Sequence, residues 1–153
     1  MKILMVCLGN ICRSPLAEGL LKSKLPPDHF VVDSAGTSNY HIGQLPDSRS
    51  IQIAKSHNIN ISNQRGRQFK IRDFDIYDFI YVMDNSNFQC LSGQARTNYD
   101  KKKIKLILAE IENMPLRDVP DPYYGGADGF LRVFQMLDVA CEKIAEKLMS
   151  NNT

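Results

Sequence analysis

Residues 2 to 15 read Lys2-Ile3-Leu4-Met5-Val6-Cys7-Leu8-Gly9-Asn10-Ile11-Cys12-Arg13-Ser14-Pro15. The run from Lys2 to Leu8 is apolar without strict alternation, the pattern of a strand buried on both faces, as in a parallel sheet. Proline is tolerated in the first turn of a helix, where its missing N–H costs nothing, and a serine before it predicts a helix cap at Ser14. A strand, a loop and a helix N-terminus thus follow in direct succession.

Outward from this stretch, Phe30 to Ser34, Phe79 to Met83 and Ile104 to Leu108 repeat the apolar strand pattern. Helical spacing recurs between the strands: Pro15 to Leu25, Asp47 to His57, a segment after Asp84, and a long one from Phe130. In the last, Phe134, Leu137, Cys141, Ile144 and Leu148 recur at three- and four-residue steps, a core-facing stripe that accounts for Cys141 as a small buried hydrophobe. No repeat, linker or low-complexity tract interrupts the chain. The expectation is one domain over residues 1–153: an α/β three-layer sandwich with a four-stranded parallel sheet and helices on both faces, with ligands at the carboxyl ends of the strands.

Composition narrows the function classes. The 153 residues are 43% hydrophobic and 24% charged, enough for a core that needs neither disulfide nor metal. Nineteen basic against 17 acidic residues give a net charge of +2, too balanced for a nucleic-acid footprint. The run Lys101 to Lys103 reads as a solvated strand entrance. Cys7, Cys12, Cys90 and Cys141 form no C-x-x-C pair, and His29, His41 and His57 form no cluster with them, so no metal and no cofactor are expected. The first apolar run is too short for a signal peptide or membrane span, which points to a cytoplasmic monomer with no membrane partner.

The chemistry lies in the first loop. Successive backbone amides at a helix N-terminus make a concave oxyanion site, strengthened by the helix dipole, and Gly9 eases the turn. Helix N-termini and nearby cations favour a thiolate over a thiol, which makes Cys7 a nucleophile. Arg13 adds a planar fork for two phosphate oxygens, and the Ser14 hydroxyl can donate to the sulfur.

With Cys7-Leu8-Gly9-Asn10-Ile11-Cys12-Arg13-Ser14-Pro15 early and Asp121-Pro122-Tyr123-Tyr124-Gly125-Gly126 late, the chain resembles the low-molecular-weight protein tyrosine phosphatase family. Ser34-Ala35-Gly36-Thr37, Arg67-Gln68 and Met83-Asp84 extend the resemblance over the whole length. It implies hydrolysis of phosphotyrosine proteins through a cysteinyl-phosphate. Cys7 attacks phosphorus, and Arg13 with the amides of Leu8, Gly9, Asn10, Ile11, Cys12 and Arg13 holds the phosphoryl oxygens. Asp121 is the general acid. Asn10 and Ser34 brace the loop, and Asp84 is an acidic residue at the rim of the site. Tyr40, Tyr123 and Tyr124 wall the pocket. The resemblance also implies a departure, since Gln64 stands where many relatives have a histidine that supports the loop asparagine.

Three alternatives use the same frame. Thioredoxin-coupled arsenate reduction needs two further cysteines after the third strand, where this chain has only Cys90. Phosphoarginine hydrolysis goes with threonine in place of Ile11. A catalytically silent phosphate-binding module would have lost Cys7, Arg13 or Asp121, and all three are present.

Overall fold

A computed structural model of the chain describes residues 1–115, 117–123 and 125–151. Four parallel strands, β1 (Lys2–Cys7), β2 (Val31–Gly36), β3 (Phe79–Val82) and β4 (Ile104–Leu106), form one sheet in the order β2-β1-β3-β4. The helices are α1 (Arg13–Lys24), α2 (Ser48–Ser56), α3 (Asp73–Ile76), α4 (Asn85–Gln94), α5 (Asn98–Lys103) and α6 (Ala127–Asn151), with a 3-10 turn at Ile107–Glu110. The order reverses at β1, so the crevice beyond the ends of β1 and β3 is the expected ligand position of a doubly wound sheet.

The lack of alternation in β1 has a direct cause. Ile3, Met5 and Cys7 pack with Leu16, Leu20, Leu137, Cys141 and Ile144 from α1 and α6. Leu4 and Val6 point to the other side, among Phe69, Phe74, Ile80, Val82 and Leu91. Both faces of the strand are therefore buried, as in a three-layer sandwich, and every residue from Ile3 to Val6 is fully buried.

Several boundaries differ from the sequence reading. β2 runs on to Gly36, where a Cβ would meet Leu8 O at 2.8 Å and Asn10 N at 3.1 Å, so the loop after β1 lies against a strand end that has no room for a side chain. Ile107 and Leu108 are core residues but lie in the 3-10 turn after β4. Helices α3 and α5 carry no amphipathic repeat: α5 is capped by Thr97, whose Oγ1 accepts from Asp100 N at 3.1 Å, and α3 is held by the pair of Asp73 with Arg67 at 3.0 Å. Lys101 to Lys103 lead into β4 as expected, with Lys101 and Lys102 exposed, but they do so as the last turn of α5. Lys103 is half-buried: its ammonium donates to Phe74 O and Tyr77 O and lies 4.9 Å over the Tyr99 ring.

Candidate active site

The sharp turn after β1 falls on Asn10, not on Gly9: Asn10 has φ of 58°, in the left-handed region that asparagine tolerates better than most residues. Its side chain is fully used. Nδ2 donates to Ser14 Oγ at 2.8 Å and to Ser34 Oγ at 3.0 Å, while Oδ1 accepts from Arg67 N at 3.1 Å. Ser34 in turn donates to the buried Glu18 carboxylate at 2.7 Å. These bonds over-determine a strained residue and fix the loop from behind. Gly9 answers a different need, since a Cβ there would stand 3.0 Å from His41 Cδ2.

Cys7 ends β1 with its sulfur buried, and two donors converge on it. Asn10 N lies 3.3 Å from Sγ and Ser14 Oγ lies 3.1 Å away. Because Asn10 already donates to Ser14 Oγ, the serine's one proton goes to an acceptor, the sulfur at 3.1 Å being closer than Ala35 O at 3.5 Å. Ser14 is thus not the helix cap expected of it. It lies inside α1, whose N-cap is Cys12 with no side-chain capping bond, leaving the amide end of the helix open to a ligand.

Arg13 is 2% exposed, and three groups hold its guanidinium. Nη1 donates to Asp84 Oδ2 at 2.6 Å and to Val119 O at 2.9 Å, and Nη2 lies 3.8 Å from Asp121 Oδ2. Burial works against its charge, but Cys7, then Asp84 and Asp121, outweigh it and raise the Arg13 pKa above the ordinary arginine value. Asp84 caps α4 through Asn87 N at 2.8 Å and stands behind Arg13, outside the cavity lining, not at the rim. Burial, then Asp47 and Cys7, push the Cys12 thiol up to about 12.

These groups surround a cavity of about 220 Å³ lined by Cys7, Leu8, Gly9, Ile11, Cys12, Arg13, Tyr40, His41, Asp121 and Tyr123. Tyr40 and Tyr123 stand at the mouth, 72% and 40% exposed, and the buried sulfur lies at the floor. Tyr124 lies outside the described residues. Among the described residues, no group of three His, Cys, Asp or Glu side chains is placed to hold a metal ion, and no helix is long and apolar enough to cross a membrane.

The model of the low molecular weight phosphotyrosine protein phosphatases matches residues 2–153. The chain belongs to this family. It is 40% identical over 153 residues to the human low molecular weight phosphotyrosine protein phosphatase, covering 95% of this chain and 94% of that one. A protein tyrosine phosphatase of Entamoeba histolytica, solved with Hepes in its active site, superposes with a TM-score of 0.91 at 40% identity, covering 100% of this chain and 99% of that one. A Drosophila arginine phosphatase superposes at 0.89 with 34% identity, covering 97% and 98%.

Gln64, expected to support the loop asparagine, lies apart from it. Its Nε2 donates to Pro15 O at 3.1 Å, and among the described residues its Oε1 is buried without a partner and it makes no bond to Asn10. The support expected from it is supplied by the Arg67 amide, which Asp73 anchors through the Arg67 side chain at 3.0 Å. Sequence reasoning missed His41 as a lining residue, Val119 as a partner of Arg13, Glu18 behind Ser34, and the Asp47–Arg49 pair on α2. Of these only Asp47 carried a local signal, as a helix cap whose carboxylate accepts from Arg49 N at 2.9 Å.

Proposed function

We propose that this phosphatase hydrolyses phosphotyrosine in proteins by two in-line displacements at Cys7. The observation that carries the reading is the convergence of Asn10 N and Ser14 Oγ on the Cys7 sulfur, at the floor of a cavity with Asp121 at its edge. In the first step the thiolate attacks phosphorus, the S–P bond forms and the P–O bond to the phenol breaks. Asp121 gives its proton to the departing oxygen. Arg13 and the loop amides hold the equatorial oxygens, and Asp84 keeps the guanidinium in its plane. In the second step the Asp121 carboxylate takes a proton from water, which attacks phosphorus. The S–P bond breaks, the Ser14 hydroxyl donates to the departing thiolate, and inorganic phosphate leaves.

Depth and wall chemistry favour an aryl ester. A tyrosyl ring spans the distance from the tyrosines at the mouth to the buried sulfur and gains burial against Leu8 and Ile11, whereas a seryl phosphate is too short. A phosphoarginine guanidinium would lose hydration beside the Ile11 methyl groups without a partner, at a cost of roughly 1–3 kcal/mol. Four free cysteines suit a reducing cytoplasm, and the near-neutral charge balance gives no reason to expect a nucleic-acid partner; we expect a monomer without a cofactor. The kcat/KM values for phosphotyrosine, phosphoserine and phosphoarginine peptides test this reading. Phosphotyrosine is expected to lead. Equal phosphoserine turnover would refute the deep pocket, and a preference for phosphoarginine would overturn the Ile11 argument.

A further inference from the structure

The segment carrying Asp121 has little regular structure to hold it. Val119 N donates to Met83 O at 2.8 Å, Tyr123 N to Asp121 Oδ1 at 3.0 Å, and Gly125 N to Pro122 O at 2.9 Å. Two of these bonds close turns within the segment and tie it to nothing else. Before Asp121 the segment is also held by Asn85 N donating to Asp118 Oδ1 at 2.9 Å and Arg13 Nη1 to Val119 O at 2.9 Å; after Asp121, Arg49, on the first turn of α2, ties it to another element. Its Nη2 donates to Tyr123 O at 2.9 Å and its Nη1 to Gly125 O at 3.2 Å. Nε and Nη2 also grip Asp47 at 3.0 and 2.9 Å, and the guanidinium lies 4.4 Å over the Phe130 ring and 5.6 Å from the Tyr123 ring.

The same helix end holds the nucleophile loop. Asp47 N donates to Ile11 O at 2.7 Å and Ser50 Oγ to Cys12 O at 3.3 Å. The N-terminus of α2 therefore grips the loop of Cys7 with one set of groups and the segment of Asp121 with another, a second route beside the direct Arg13 contacts to Val119 O and Asp121 by which nucleophile and acid are held together. Arg49 is not among the residues that line the cavity, and four of its five N–H donors are engaged with Asp47, Tyr123 O and Gly125 O, which directs its fork to the Asp121 segment. Its fork is suited to two carbonyls and a carboxylate at once, which a lysine ammonium cannot match.

We infer that Arg49 is a positioning residue that fixes the reach of Asp121 toward the leaving-group oxygen by clamping the Tyr123 and Gly125 carbonyls to the N-terminus of α2. The inference rests on the reading of Asp121 as the general acid. Slack in this clamp lowers the fraction of complexes in which the acid meets its oxygen, so the loss is largest where protonation of the leaving group matters most.

The test compares wild type, Arg49→Ala, Asp121→Asn and the double variant on aryl phosphates of graded phenol acidity, with inhibition by inorganic phosphate measured alongside. Arg49→Ala is expected to lose kcat/KM by up to roughly 10²-fold on phenyl phosphate and far less on the most activated ester. Phosphate inhibition is expected to stay as in wild type, which reports an intact loop. In the Asp121→Asn background the Arg49 substitution is expected to cost little, because two residues acting as one unit are non-additive. A loss that is uniform across the esters, that persists undiminished in the Asp121→Asn background, or that is matched by weaker phosphate inhibition would overturn the inference while leaving Asp121 as the acid. An Asp121→Asn variant whose own loss ignored the leaving group would remove the acid itself, and the inference with it.

Discussion

Arg13 Nη2 lies 3.8 Å from Asp121 Oδ2, so in the proposed reaction the cation that closes on the phosphoryl group also stands beside the proton donor for its leaving group. The pair links phosphate binding to acid placement without either residue touching the other's backbone. It also separates the consequences of losing each residue.

Asp121→Asn is expected to slow phosphotyrosine hydrolysis by roughly 10²–10⁴-fold, the range for a positioned general acid, with the loss shrinking as the leaving group improves. An equal loss on activated and unactivated aryl phosphates would contradict the assignment.

Arg13→Lys is expected to weaken inhibition by inorganic phosphate as well as turnover, since a point charge cannot replace a fork already shared with Asp84 and Val119 O. Titration with phosphate distinguishes it from Asp121→Asn, which is expected to leave phosphate affinity near wild type. Equal phosphate affinity in both variants would contradict the division of labour.

Cys12 shares the loop with Cys7, but burial and the Asp47 carboxylate push its thiol up to about 12, which keeps it protonated at neutral pH. Peroxide is therefore expected to strike Cys7 first, giving the sulfenic acid, and the Cys12 thiol then to give its proton to the departing hydroxyl, which leaves as water as the disulfide forms and shields the nucleophile. Peptide mapping after mild peroxide is expected to show Cys7 linked to Cys12. Cys12→Ser is expected to recover activity poorly when thiol is added. A bond from Cys7 to Cys90, which is exposed on α4, would contradict the scheme and revive the reductase alternative.

Alkaline pH tests the core. Burial, followed by the hydrogen bond to Asp33, pushes the Tyr77 hydroxyl from 10.0 up to about 12, and burial pushes Tyr81 upward and Cys141 from 9.0 up to about 12. Groups whose folded values are raised contribute stability that is full below their unfolded values and lost as pH rises through the folded ones. Stability is therefore expected to fall from about pH 9 toward 12. The tyrosinate absorbance of Tyr77 and Tyr81 is expected to appear together with loss of far-ultraviolet circular dichroism, and Tyr77→Phe to remove its share. Ionisation of these two tyrosines in a chain that stays folded would contradict it.

How much of this was legible in the sequence depended on whether the cause was local. β1, the loop after it and α6 were readable because buried apolar runs and a helical stripe state their own burial. Ser14 misled because serine before proline signals a cap, whereas its hydroxyl is drawn to Cys7 and Asn10 by contacts that only the folded loop creates. Gln64 misled for a similar reason: the position matched, but the amide reaches Pro15 O and leaves Asn10 to the Arg67 backbone. Arg49 left no trace, because its partners Tyr123 and Gly125 offer carbonyls, which every residue has, and lie more than 70 positions away.

The most direct test of the central claim is single-turnover and steady-state hydrolysis of a phosphotyrosine peptide by wild type and Cys7→Ser, with inorganic phosphate binding measured on both. In the proposed mechanism the loop amides and Arg13 supply the binding and the thiolate supplies the chemistry. The account predicts that wild type quenched in acid carries one phosphoryl group on the Cys7 peptide, and that Cys7→Ser binds phosphate while showing no turnover above background. Substantial turnover by Cys7→Ser, or a phosphoryl group trapped on any other residue, would contradict it.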